Sequence, residues 1–178
     1  DTSAAELFKC HKEVHALPMT RGDYNKYRGW EIPKGENPAD EGYLVIIRLA
    51  HLNAINTSLG AQEGDNYVTS VANILKQFSK ESAETTHLFR LSGADFALVT
   101  EAISKRECSN KIEDLSETLV HCNPIKDGIR SVWMGGAQFS DKQSFSEIME
   151  NADSALMAAT KQANGWQFAS ELSHIHSN

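Results

Sequence analysis

The sequence predicts an α/β (α+β) domain: a central mixed sheet flanked by helices, of the ferredoxin-like kind. Three observations predict it. Tyr43 to Leu49, YLVIIRL, is a continuous apolar run rich in branched residues, as in a central strand buried on both faces. Phe89 to Val99, FRLSGADFALV, reads as strand, tight turn and strand. Around this hairpin, helical stripes alternate with strand-like runs, which places helices against a sheet.

Each element follows from local chemistry. Residues 1 to 42 are polar and irregular and contain Pro18, Pro33 and Pro38; short helices are expected over Asp1–His15 and near Arg21–Arg28, with a loop from Ile32 to Gly42. After the apolar run, which Arg48 interrupts near its end, His51–Leu59 reads as a short helix stopped by Gly60. Gly64-Asp65 is expected to open a longer helix, with Asp65 in the first turn, where a carboxylate favours the positive end of the dipole. Val68, Val71, Ala72, Leu75 and Phe78 give that helix its apolar stripe. The hairpin runs from His87 to Leu91, turns at Ser92-Gly93-Ala94-Asp95 and returns over Phe96–Thr100. Cys108, Ile112, Leu115, Leu119 and Cys122 mark a third helix, and Arg130–Gln138 a strand. Ser144 and Glu147 form an S-x-x-E capping box. The helix behind it carries Phe145, Ile148, Met149, Ala152, Ala155, Leu156 and Ala159 on one face; Gly165 ends it and Trp166–Ala169 adds an edge strand.

Composition narrows the function. A chain of 178 residues buries roughly 70% of its unfolded surface, enough for a core without staples. The net charge of -7 argues against a nucleic-acid or anionic-membrane binder, which needs clustered Lys and Arg. Cys10, Cys108 and Cys122 form neither a CxxC nor a zinc pattern, and an odd, low count fits a reducing compartment. His51 and His87 lack a ligand partner at useful spacing, and His174-Ile175-His176 reads as a tail. No run approaches the ~18 apolar residues of a membrane span. The abrupt start at Asp1 reads as an excised fragment, so an anchor elsewhere in a parent chain is compatible with it.

Four ordered blocks then carry a resemblance. Asn56, Gly60 and Gly64-Asp65 match N-D-x-x-G-H-x-x-G-D in type and spacing. Arg90-Leu91-Ser92-Gly93-Ala94-Asp95-Phe96 stands where R-x-G-G-D/E-E-F is expected. Ala152-Asp153 with Ala155-Leu156 matches A-D-x-A-L-Y-x-A-K, and Leu17-Pro18 matches L-P-N-R. The chain resembles the GGDEF domain, which makes cyclic di-GMP from two GTP molecules. The resemblance implies the GGDEF fold, a nucleotidyl-cyclase-like central mixed sheet, and an active form of two domains face to face.

Joining two GTP molecules is nucleotidyl transfer, whose charge is usually neutralised by Mg²⁺ on carboxylates. The resemblance places the family's strand-end Asp at Arg48 and its first acidic turn residue at Ala94, so both metal-ligand positions are lost. The signature is degenerate at Ser92, Gly93, Ala94, Asp95 and Phe96, and no catalytic or metal-ligating residue is assigned. The family's phosphate-gripping Lys and Arg fall at Thr160 and Asn164; Lys161 is one residue off, about 100° around the helix. The product site, R-x-x-D in the family, is not expected where the window reads Ala83-Glu84-Thr85-Thr86. The guanine contacts, Asn56 and Asp65, are intact, which suggests a remnant nucleotide-binding pocket; equally, Asn56 serves to pin its helix end and Asp65 to favour a helix terminus. Arg48 is expected to pair with Asp95 across neighbouring strands, an ion pair in place of the metal.

The expected organisation is an N-terminal arm and lead-in over 1–42, a degenerate GGDEF domain over 43–170 and a tail over 171–178. The expected role is a catalytically inactive, regulatory module of a cyclic di-GMP pathway, part of a larger GGDEF–EAL protein; the stretch GYLVIIRL…LNAINTSLG is similar to LapD-type receptors. The alternatives are an active diguanylate cyclase with an altered metal site and a GTP-binding allosteric switch. No cofactor is expected, with Mg²⁺ and GTP entering only with residual activity. The expected partners are a neighbouring EAL domain or a sensor or membrane segment, with weak GTP binding and no nucleic acid. The expected compartment is the cytoplasm, including the cytoplasmic part of an inner-membrane protein.

Overall fold

The run at Tyr43–Leu49 forms the middle of the sheet because it has apolar side chains on both sides of its pleat. Tyr43, Val45, Ile47 and Leu49 point to one face, Leu44 and Ile46 to the other, each at most 4% exposed. In a computed structural model of the protein, residues 41–81, 86–90, 93–124, 130–139 and 145–169 are described. Residues 1–40 of the expected arm, the tail over 171–178 and the capping residue Ser144 lie outside the described residues.

The element order is β1 (Glu41–Leu49), α1 (Leu52–Leu59), α2 (Ala61–Glu81), β2 (Thr86–Arg90), β3 (Asp95–Ile103), α3 (Lys105–Leu119), a 3₁₀ turn (Val120–Cys122), β4 (Val132–Phe139), α4 (Phe145–Ala159) and β5 (Trp166–Phe168). The sheet order is β2-β3-β1-β4-β5. β1 lies antiparallel to β3 and β4, β2 antiparallel to β3, and β5 parallel to β4. The first four strands thus have the ferredoxin-like order, and β5 makes the sheet mixed, as expected.

Two apolar layers cover the sheet. On one face, Ile55 of α1, Tyr67, Val71 and Leu75 of α2, and Ile112, Leu115 and Leu119 of α3 pack on Val45, Ile47, Phe96 and Leu98. On the other, Ile148, Met149, Ala152, Ala155 and Leu156 of α4 pack on Leu44, Ile46, Ala97 and Val99. α4 lies almost on the strand backbone: a Cβ at Gly135 would stand 2.2 Å from the Leu156 nitrogen. Among the described residues no helix is long and apolar enough to cross a membrane.

Several boundaries differ from expectation. β1 begins at Glu41, within the loop expected up to Gly42, because Glu41 and Gly42 already pair with Ile103 and Phe139 of the neighbouring strands. α2 begins at Ala61, not at Gly64-Asp65, because Ala61-Gln62-Glu63 are helix formers directly behind the Gly60 break (φ 95°). Asp65 therefore stands inside the helix rather than at its dipole end. β3 runs on to Ile103, and Ser104, not foreseen as a cap, then accepts a hydrogen bond from the Glu107 N–H at 3.2 Å to start α3. β4 starts at Val132, two residues later than expected, because Arg130 is used outside the ladder.

Tyr67 ties the end of β1 to the start of β4. Its buried hydroxyl lies 2.9 Å from the Ala50 carbonyl oxygen and also contacts that of Ser131. Burial pushes the phenol well above its ordinary pKa, so it stays a donor. The strand ends that carry the candidate site are thereby held together.

Candidate functional site

The site is built at the carboxyl end of β1. Antiparallel register sets Arg48 opposite Asp95 on one side and opposite Trp133 on the other. All three follow the parity of Leu44, Ile46, Ala97 and Ala137, so they lie on the α4 face. Arg48 Nε donates to Asp95 Oδ1 at 2.8 Å and Nη2 donates to Oδ2 at 2.9 Å. The fork is bidentate, the strongest form of this contact. The hydrogen bonds to Asp95 raise the Arg48 pKa above its already high value, so the guanidinium stays charged. The ion pair expected from the sequence is therefore present.

The hairpin turn is tied down twice more. Leu49 N–H donates to the Ala94 carbonyl at 2.8 Å. Arg90 Nη2 donates to the Gly93 carbonyl at 2.7 Å, and its guanidinium stands 5.8 Å from the centre of the Phe96 ring. Arg90 is only 8% exposed; burial lowers its pKa, and the charge of Asp65 on α2 opposes that shift. Of the hairpin signature positions, Phe96 is core, Ala94 and Asp95 are half-buried, Gly93 is exposed, and Ser92 lies outside the described residues.

The two guanine-contact candidates lie on α1 and α2, which pack on the opposite face of the sheet. Asn56 and Asp65 are both exposed. The Asn56 side chain lies against Gly64: a Cβ there would stand 1.6 Å from Asn56 Oδ1. Packing thus brings Asn56 to the residue preceding Asp65, and Asp65 into the electrostatic reach of Arg90. Thr160, Lys161 and Asn164, at the carboxyl end of α4, are exposed. Thr160 Oγ1 donates to the Met157 carbonyl at 2.7 Å. Ala83–Thr85 of the product-site window lie outside the described residues, and Thr86 begins β2.

Sequence reasoning gave no role to Arg90, Trp133 or Arg130. The Arg130 guanidinium stands 5.3 Å from the centre of the Trp133 ring, Nη1 donates to the Asn164 carbonyl at 2.9 Å, and Nη2 bonds the Ala163 carbonyl. It thereby pins the turn that follows α4. Arg90 was legible as the first letter of the hairpin signature; Trp133 and Arg130 carried no local signal.

These residues do not fit a divalent ion. Both Asp95 oxygens are engaged by Arg48, and among the described residues no group of three or more His, Cys, Asp or Glu converges. Mg²⁺ needs a near-octahedral oxygen set and would stand beside a permanent cation. A separate groove of about 400 Å³ between α2 and α3, lined by Ile74, Phe78 and Leu115 among others, contains none of the candidate site residues.

Comparison with known proteins agrees with this architecture. The GGDEF domain of DgcB from Caulobacter crescentus, solved in complex with c-di-GMP, superimposes with a TM-score of 0.70 at 20% identity, covering 87% of this chain and 96% of that one. The diguanylate cyclase SiaD from Pseudomonas aeruginosa, solved with its activator SiaC, gives 0.66 at 16% identity, covering 91% of this chain and 64% of that one. The FimX GGDEF domain from Pseudomonas aeruginosa gives 0.66 at 14% identity, covering 84% and 92%. Curated protein sequences return no significant match. The family described as diguanylate cyclase, GGDEF domain, matches residues 31–165. The chain therefore belongs to the GGDEF domain family.

Proposed function

We propose that this is a catalytically inactive GGDEF domain with a regulatory role in cyclic di-GMP signalling. The observation that carries this reading is the bidentate Arg48–Asp95 pair, which stands where the resemblance places a metal-binding Asp. Without that ion the charge of nucleotidyl transfer has no compensation. The domain is read as residues 43–170, with 1–42 as an arm and 171–178 as a tail. It works as one part of a larger cytoplasmic GGDEF–EAL arrangement of the LapD type, alongside a sensor or membrane segment. That a solved relative was captured with an activator protein supports protein partnership as a mode of action for such domains. The test is incubation of the 178-residue chain with GTP and Mg²⁺ and chromatography of the products. No cyclic di-GMP is expected; steady accumulation would establish the competing reading, an active cyclase with an altered metal site.

A second reading, a guanine-nucleotide switch, is favoured by the Asn56 contact with Gly64. It predicts a separation of effects in Gly64→Ala. Alanine is better than glycine within a helix by about 1 kcal/mol, so the melting temperature should hold or rise. The new Cβ would displace the exposed Asn56 side chain, so guanosine binding by calorimetry should fall at least about tenfold, which is 1.4 kcal/mol. Unchanged guanosine binding in this variant would remove the proposed pocket.

A further inference from the structure

The Arg48 guanidinium has more donors than Asp95 uses. Of its five N–H groups, two go to Asp95; the other three meet no acceptor among the described residues, and the side chain is 41% exposed. Trp133, half-buried, stands directly across the strand pair from Arg48, and Arg130 lies over its ring. A row Asp95–Arg48–Trp133 thus crosses three strands on the α4 face, with Arg130 at its far end holding the Ala163 and Asn164 carbonyls. Two guanidinium groups thus stand on either side of the Trp133 position on this face, in a chain whose net charge is -7.

We propose that this row is an anion site that takes a phosphate group directly on the outward N–H groups of Arg48, without a divalent ion. It rests on the reading above that Arg48 has displaced the metal. A guanidinium suits this role: its planar fork matches phosphate geometry and cannot be deprotonated at neutral pH. Asp95 has two opposed effects. It orients the fork, and its own charge repels the phosphate. Arg130 adds positive potential, and Trp133 keeps one flank of Arg48 apolar. Mg²⁺ works against such a site, because it pairs with the ligand's phosphates and meets a cation in the protein.

Calorimetric titration of the full 178-residue chain tests this with inorganic pyrophosphate, GTP, ATP and guanosine, each in EDTA and in excess Mg²⁺. The expected result is that pyrophosphate and both triphosphates bind in EDTA, and that Mg²⁺ weakens them about threefold or more. Arg48→Gln should lower phosphate affinity about tenfold while leaving guanosine untouched. Asp95→Asn should do the opposite and raise phosphate affinity a few-fold by removing the neighbouring charge. A merely structural pair would not produce effects of opposite sign. GTP binding without pyrophosphate or ATP binding would assign affinity to the base alone and overturn the anion site. Absence of phosphate binding in both buffers would overturn it too, while leaving the inactive-domain reading intact. Binding that requires Mg²⁺ would overturn both.

Discussion

Gly135→Ala is expected to destabilise the domain by about 3 kcal/mol, at the upper end of what overpacking costs. The added Cβ would stand 2.2 Å from the Leu156 nitrogen, 2.5 Å from its Cα and 2.6 Å from the Ala152 carbonyl oxygen. These are backbone atoms of α4, so no rotamer change relieves the contact. The helix must move off the sheet, which loosens the layer formed by Leu44, Ile46, Ile148, Met149 and Leu156. Each square ångström of apolar surface reopened costs about 25 cal/mol. At roughly 2–4 °C per kcal/mol, the melting temperature should fall by about 6–12 °C. Two other glycines calibrate the result. At Gly136 the obstacle is the Phe168 ring, 2.7 Å from the added Cβ, a side chain on the edge strand β5 rather than helix backbone. At Gly93 nothing lies within 4 Å. The expected order of loss by thermal unfolding is Gly135→Ala, then Gly136→Ala, then Gly93→Ala; a Gly135→Ala protein that melts with the Gly93→Ala protein contradicts the close packing of α4.

The second large effect is charge reversal at Arg48. Arg48→Asp removes two charge-assisted hydrogen bonds and sets two carboxylates opposite each other on adjacent strands, where like charges are destabilising. A loss of about 2–3 kcal/mol is expected at neutral pH, because the site is only partly desolvated. The sign with pH is definite. Each carboxylate disfavours ionisation of the other, so the folded-state pKa rises, the folded form binds more protons, and the variant regains stability relative to the parent as pH falls. A divalent cation should do the same at neutral pH. A ligand at ten times its Kd adds about 1.4 kcal/mol. The melting temperature of Arg48→Asp is therefore expected to climb with Mg²⁺ while the parent stays flat. A parent that is itself stabilised by Mg²⁺ would refute the incompatibility of this site with metal.

The Arg48–Asp95 contact is legible in the amino-acid sequence because its causes are local. A buried strand, a tight hairpin and antiparallel pairing leave few registers, and a one-residue slip would turn every apolar side chain of β1 to the wrong face. The apolar stripe of α4 is legible for the same reason: Ile148, Met149, Ala152, Ala155, Leu156 and Ala159 are all buried where their spacing puts them. The misplaced start of α2 has an equally physical cause. Gly64 looks like a helix boundary in sequence, yet its lack of a side chain serves to admit Asn56 from α1, a contact that spacing alone does not reveal.

Sequence alone determined the order of elements, the two-faced burial of β1 and the placing of Arg48 at the end of that strand opposite the hairpin, because these depend on side-chain periodicity and residue chemistry. Only the tertiary structure decided that Trp133 stands beside Arg48, that Arg130 pins the turn after α4, and that Arg90 runs beneath the turn within reach of Asp65. Those neighbours are set by strand order and helix docking, where residues 34 or 85 positions apart come into contact through the packing of whole faces, and no local propensity specifies which face meets which.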